Sequence, residues 1–329
     1  MFNKINPSDV RSVTKVVCID SLFRQDLNTT DSSNFLYKLS EPINNVVSIK
    51  LSSLELPNNW YLFAKHNYSN IFKITCYNVP NISDPTDITD EIEHLIEMPE
   101  GNYLADTFEI ALSNYFNNIG EGLQYIGVTV NPVSAKTEFY SGLSTDTYPF
   151  DPYTNMGIPL EDRFYFKIDF NIANMKTFPL FKTIGWTLGF RQYIYIVKYR
   201  ENISKRVTDS QNQTYLSYLE SESSYGSSFN QYILFEVDDF QKNVQSNTIV
   251  SSNGEYNLSN NIFAKIPITS GQYTCITDNG SDLMFKKRNY FGPIRLEKMH
   301  LRLITRFGDI LNLNGNNFSF TLEVEVLYS

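Results

Sequence analysis

Histidine, cysteine and tryptophan are scarce in this chain, at three, three and two of 329 residues. His66, His94 and His300 stand far apart, and none has a second histidine or a cysteine at metal-ligand spacing. HExxH, CxxC and HxH are all absent, so the common signatures of a zinc centre are missing and packing or solvation is the ordinary role of each imidazole. Cys18, Cys76 and Cys275 are odd in number and widely spaced, which argues against a disulfide framework and for free thiols in a reducing compartment. Gly185-Trp-Thr-Leu-Gly189 has neither the lysine of a P-loop nor GxGxxG spacing, and no GxSxG elbow occurs. No metal and no cofactor are expected.

Long apolar runs are missing too. The densest is Tyr193–Val197, far short of the roughly 18 residues a membrane helix needs, so no span is expected. The opening MFNKINPSDVRS lacks the apolar stretch of a signal peptide. Basic residues are the minority, 27 against 36 acids, for a net charge of −9. A general nucleic-acid binder would be basic, so that class is disfavoured, although a local basic patch is not.

Aromatics are plentiful instead, at 15%, supplied by 22 tyrosines and 24 phenylalanines. They suit strands and the buried centres of protein interfaces. The clearest pattern closes the chain. Phe318, Phe320, Leu322, Val324, Val326 and Tyr328 share one parity, and Ser319, Thr321, Glu323 and Glu325 the other. Only a half-buried strand uses a period of two. Upstream, PIRLEKMHLRLITRF (Pro293–Phe307) reads as a second long strand, with Gly308-Asp309 and Asn314-Gly315 as turn formers between them. The chain is expected to end in two long antiparallel strands.

Further strands are expected at Val13–Ile19, Asn34–Leu39, Asn45–Leu56, Phe72–Cys76, Glu91–Met98, Tyr125–Val130, Phe164–Phe170, Tyr193–Lys198, Gln231–Val237 and Ile262–Ile268. Two of them change phase. Val47, Ile49 and Leu51 give way to Leu54 and Leu56 across Ser52-Ser53, and Ile294 and Leu296 give way to Met299, Leu301 and Leu303 across Glu297-Lys298. Each slip reads either as a corner where a strand changes sheet or as an ordinary bulge. One amphipathic helix is expected over 104–117, with Leu104, Phe108, Ala111, Leu112, Tyr115 and Phe116 on one stripe and Gly120 as its stop. Phe178–Phe190 is ambiguous, a short helix leading into a glycine turn being one reading. The fold class is therefore mainly β, an antiparallel β-sandwich. Residues 1–12 read as an N-terminal arm. Residues 13–329 read as one large domain or two packed lobes, with long polar loop insertions near 202–230 and 241–261.

Charge is unevenly placed. From Asp84 to Glu100 the acids are Asp84, Asp87, Asp90, Glu91, Glu93, Glu97 and Glu100, with no Lys or Arg. From Lys286 to Arg306 the bases are Lys286, Lys287, Arg288, Arg295, Lys298, Arg302 and Arg306, opposed only by Glu297. Complementary patches of this kind pair within a fold or between copies, with Arg295, Lys298, Arg302, Glu91, Glu93 and Glu97 as the candidate interface residues. The plainer reading is two solvated strand faces that discourage edge aggregation. Acid pairs such as Asp90-Glu91 and Asp238-Asp239 leave a β-rich hydrolase as a third-ranked alternative, because a glycosidase needs only two carboxylates at the right separation.

Five segments together resemble a known family. IDSLFR (Ile19–Arg24), NNVVSIKLSSLELPNNWY (Asn44–Tyr61), EGNYLADTFEIALSNYF (Glu100–Phe116), IGWTLGFR (Ile184–Arg191) and YFGPIRLEKMHLRLITRFGDILNLNGNNFSFTLEVEV (Tyr290–Val326) occur in order over most of the chain. They are similar to minor capsid or penton-type virion proteins of large eukaryotic, giant icosahedral DNA viruses. IDSLFR, LGFR and the LNLNGNNFSFTLE ending are the most specific pieces. The family often has Thr-Pro soon after GNY to open the helix, where this chain has Leu104-Ala105.

The resemblance implies a jelly-roll-like sandwich with no enzymatic activity and a place in a capsid shell. Its implied partners are a major capsid protein, other minor capsid proteins and copies of itself. It implies location in the virion, and in the host cytoplasm or a viral factory during assembly. A carbohydrate- or receptor-binding sandwich is the alternative, with Trp60 and Tyr61 after Pro57 as its aromatic platform. A Trp60 buried at a strand end would remove it.

Overall fold

The computed structural model describes residues 11–80, 88–141, 159, 162–172, 179–198, 217–226, 232–242, 244, 261–278 and 286–328. The chain runs through β1 (Arg11–Asp20), β2 (Asn34–Pro57), β3 (Ile71–Pro80), β4 (Ile88–Glu97), α1 (Ala105–Ile119), β5 (Ile126–Val130), β6 (Lys136–Ser141), β7 (Tyr165–Asp169), α2 (Ile184–Thr187), β8 (Ile194–Val197) and β9 (Ser217–Ser224). It continues through β10 (Tyr232–Asp238), β11 (Ile262–Pro267), β12 (Cys275–Asp278), β13 (Lys287–Thr305) and β14 (Ser319–Tyr328). Every pairing is antiparallel. Two compact units result: Met1–Trp60 with Asn230–Ser329, and Tyr61–Phe229 inserted between them in sequence.

In the first unit the hydrogen-bonded order is β1-β14-β2-β13-β10-β11, with β12 also on β2. β2 and β13 are long enough to serve twice. The second half of β2 pairs with β14 on one side and, on the other, with β12 and the first residues of β13. Its first half pairs with the second half of β13, which in turn pairs with β10. Counting each half separately gives two four-stranded layers, β1-β14-β2-β12 and β2-β13-β10-β11. Successive strands alternate between the layers except for the β10–β11 hairpin, which is the order of a jelly roll.

The layers face each other through one apolar core that includes Phe35, Ile49, Leu54, Phe235, Leu301, Phe318, Phe320 and Leu322. Phe235 of β10 meets Phe320 of β14 edge-on at 4.9 Å, although the two strands are not sheet neighbours. Tight aromatic packing of this kind fixes the spacing of the layers.

Several expectations are corrected. Asn34–Leu39 and Asn45–Leu56 are one continuous strand. The slip at Ser52-Ser53 is the bulge, one of its two readings: Thr321 opposes Ser53 and Leu322 opposes Leu51, so Ser52 is the extra residue. The corner of β2 lies earlier. Ile43 opposes Leu296 and Lys38 opposes Lys298, which throws Leu39–Pro42 out of the ladder, and Asn45 takes a left-handed φ of 60°. The slip at Glu297-Lys298 marks the β13 side of that corner. β13 and β14 do not pair with each other. Each is antiparallel to β2, which lies between them, because Arg306–Phe318 crosses over instead of closing a tight hairpin. Arg11 and Ser12 belong to β1 rather than to an arm, and residues 1–10 lie outside the described residues.

The second unit has a four-stranded sheet, β4-β3-β7-β8, and a three-stranded sheet, β5-β6-β9. Phe72, Ile74, Cys76, Ile96, Phe166 and Ile168 share its core with Phe108, Leu112 and Phe116 of α1 and with Val128 and Phe139. The helix begins and ends slightly later than the spacing predicts, and Gly120 stops it at φ 71°. Glu109 of α1 ties the helix to β5, its Oε1 accepting from the Val130 amide at 2.6 Å. β9 falls inside the expected 202–230 loop. Ser217 and Ser221 are buried there because β9 completes the sheet on β6, and short polar side chains hid that strand from the apolar pattern. Most of the 241–261 insertion lies outside the described residues. No described helix is long and apolar enough to cross a membrane.

The IGWTLGFR segment shows why two glycines stand where they do. A Cβ on Gly185 would meet the Phe170 ring at 2.4 Å, and one on Gly189 (φ 94°) would meet the Ser223 carbonyl at 2.1 Å. Gly189 O accepts from the Ser223 amide at 2.9 Å, so α2 and β9 meet through bare backbone. Gly189→Ala is expected to cost at least about 2 kcal/mol, read as a clear loss of thermal stability. An unchanged melting temperature would refute this account of the contact.

Candidate functional site

The bases singled out by sequence lie on the outward face of the β2-β13-β10-β11 layer. Lys298 stands opposite Lys38 and Arg302 opposite Asn34 on β2, while Arg302 faces Glu236 on β10. They are not equivalent. Arg302 Nη2 donates to Glu236 Oε1 at 2.5 Å, and Glu236 has no exposed surface. Glu236 Oε2 and Arg302 Nε have no partner, so a buried acid is half satisfied by a half-buried arginine. Arg295 pairs with Glu297 at 2.7 Å in solvent. Lys298 Nζ lies 4.7 Å from the centre of the exposed Phe240 ring. His300 Nε2 is 2.9 Å from Asn34 Oδ1.

The run Lys286–Arg306 is therefore not one patch. Lys286 and Arg288 are buried, and Lys287 pairs with Glu325 across β2 within the β14 layer. Arg288 reaches inward because position 288 opposes Ile49 on the core side. Its Nη1 donates to Asp239 Oδ2 and to Val237 O, each at 2.8 Å, and its Nη2 donates to Asn261 O at 3.1 Å. Tyr290 Oη donates to the same Asp239 oxygen at 2.5 Å. Burial first, and then the Asp239 charge, raise the Tyr290 phenol above its ordinary value.

The acids lie on β4, an edge strand of the second unit. Glu93 takes a hydrogen bond from Lys73 at 2.9 Å, which lowers its pKa. Glu97 pairs with Lys65 at 2.6 Å, which raises the Lys65 value. Glu91 makes no ion pair among the described residues. Both acid partners come from the unit's own chain, a signal the acidic run itself does not carry. Asp84 and Asp87 lie outside the described residues.

The aromatic-platform reading loses its central residue. Trp60 is 5% exposed and sits in the core of the first unit, so it offers no platform with Tyr61. Two carboxylates do converge, Glu138 and Glu220, directly opposite across β6 and β9. Lys136 occupies Glu220 at 2.6 Å, Asn131 occupies Glu138 at 3.0 Å, and Tyr218 Oη donates to Glu220 at 3.1 Å. Lys136 on β6 ties to Glu220 on β9 and offsets the repulsion of the facing carboxylates. Among the described residues no three His, Cys, Asp or Glu side chains converge on a metal position. Cys18, Cys76 and Cys275 are free, and burial pushes the Cys76 thiol up to about 12, which makes it inert at neutral pH.

One arrangement was not legible as a site, although both of its halves are motifs. IDSLFR and NNFSF clasp each other. Ser21 N donates to Phe318 O and Phe318 N to Ser21 Oγ, each at 2.9 Å. Arg24 Nη1 donates to Ser21 O at 2.8 Å and to Asn317 Oδ1 at 2.9 Å, while its Nε donates to Thr30 O at 3.1 Å. Asp20 Oδ1 accepts from the Leu22 amide at 2.8 Å, and Ser32 Oγ donates to Asn316 O at 2.6 Å. Contacts some 290 residues apart in sequence leave no local periodicity to read.

No protein-family model matches the chain. No curated protein matches it. Solved structures that resemble it include two from virophages. The mavirus penton protein is 11% identical, over 96% of this chain and 99% of that one, with a TM-score of 0.45. A chain of the Sputnik virophage particle is 12% identical, over 96% of this chain and 98% of that one, with a TM-score of 0.42.

Two outcomes follow from this geometry. Arg302→Ala strands a buried carboxylate and is expected to cost on the order of 3 kcal/mol, whereas Arg295→Ala stays within about 0.5 kcal/mol. Equal urea midpoints for the two variants would contradict the assignment. The raised Tyr290 value makes its contribution to stability fully present below the unfolded phenol's pKa of about 10 and lost as pH climbs beyond it. Tyr290→Phe should flatten the decline of the urea midpoint between about pH 9 and about pH 11; an identical slope would contradict it.

Proposed function

We propose that this chain is a structural component of an icosahedral virus capsid, of minor capsid or penton type, and that it acts through protein–protein contacts rather than catalysis. One observation carries the reading. Two of the three segments most specific to the resemblance, Ile19–Arg24 and Leu311–Glu323, meet as a single hydrogen-bonded clasp at one end of a jelly roll. The fold alone would not suffice, because jelly rolls also host lectins and cupins. The motif pair ties this jelly roll to the virion family.

The charged surfaces fit the same role. Arg295 and Lys298 stand exposed on one layer, and Glu91, Glu93 and Glu97 line a sheet edge. Neighbours are the major capsid protein, other minor capsid proteins and copies of this chain. The virion is its location, reached through the host cytoplasm or a viral factory. Rim charges of this kind set orientation and on-rate, so assembly through them weakens as salt rises.

Mass spectrometry of particles purified on gradients at physiological ionic strength tests the reading. Retention at fixed copy number is expected. Absence from the particles would overturn it.

A further inference from the structure

The clasp does more than close the sandwich. Its loop carries Leu22, Phe23 and Leu27 at 46%, 78% and 51% exposure. Apolar groups so open normally sit on mobile loops, where fixing them on binding costs entropy. Here the loop backbone is already fixed. Asp20 caps Leu22, and Arg24 holds the turn through three acceptors. Thr29 and Thr30 amides both donate to Asp26 O, and Asn34 N donates to Asp31 O. A rigid aromatic anchor with an acidic rim of Asp20, Asp26 and Asp31 is the form an interface hot spot takes.

The chain also carries the complement. On the outward face of β2 and β13, Leu36 is 46% exposed beside Lys38 and Lys298, and Phe240, 49% exposed, lies under the Lys298 ammonium. Gln241 Nε2 donates to Arg295 O at 3.5 Å, which brings Arg295 into the same patch. Arg295 is itself paired with Glu297, and Asp238 stands opposite His300, so the patch is basic without being free of acids. One surface is apolar with an acidic rim and the other apolar with a basic rim. Different patches that match in this way make a head-to-tail contact between copies, which closes into a ring or runs on as a filament.

We infer that the Leu22-Phe23 anchor of one copy docks on the Leu36/Phe240 patch of the next, with Asp26 and Asp31 against Lys38 and Lys298. The inference rests on the shell-component reading and names the neighbour at one of its surfaces.

The full chain is examined by sedimentation over a range of concentrations. The wild type is expected to self-associate. Phe23→Ser and Lys298→Glu should each weaken association about ten-fold or more with unchanged circular dichroism. Asp31→Lys combined with Lys298→Glu should recover part of that loss. Benzoylphenylalanine placed at position 23 should cross-link to a peptide holding Leu36 or Lys298 of a second copy. Association that ignores both single substitutions overturns the inference and leaves the shell reading intact. A wild type that stays monomeric to about 100 µM also overturns it. So does a cross-link from position 23 to a different protein within particles. Absence of the chain from purified particles would instead strike the shell reading itself.

Discussion

The structure depends on two strands that belong to both layers of the jelly roll. β2 and β13 each leave one layer and enter the other without a break in the chain, so the layers cannot separate without tearing a ladder. The bend is paid for locally. Leu39–Pro42 leave the pairing, Asn45 adopts positive φ, and register shifts between Asn289 and Lys298 absorb the turn on β13. Once those corners are set, side-chain parity decides everything beyond them. Phe35, Phe235, Phe318 and Phe320 face inward, while Lys38, Lys298 and Arg302 face outward.

Buried polar groups act where the layers would otherwise fray. Arg288 enters the core side and satisfies Asp239, Val237 O and Asn261 O together, joining β13 to the end of β10 and the start of β11. Glu236 and Arg302 form the converse case, a fully buried acid on an outward face with only one of its oxygens paired. The first arrangement is complete and stabilises the sandwich end. The second is incomplete, so it fixes Arg302 in place more than it strengthens the fold. Function is left to the residues that neither arrangement uses.

How much of this could be read from sequence depends on the range of the interaction. β14 was legible because six apolar residues keep one parity, and α1 because its stripe repeats every turn. β9 was hidden, since SYLESESS has no apolar alternation and earns its place by pairing with β6. The corner of β2 left no change of phase in the sequence. Ser52 does shift the phase, but the change of layer comes where Pro42 and Asn45 interrupt the ladder. Arg288 looked like surface charge in a basic run, because its partner Asp239 lies on another strand. The clasp between Arg24 and Asn317 was visible only as two motifs, never as a contact.

A density reconstruction of purified particles, at a resolution that separates strands, tests the central claim most directly. A shell component built this way must appear at symmetry-related positions as two four-stranded layers, with β2 and β13 running through both. A shell whose density is fully accounted for by other chains, with no such double layer, would contradict the account.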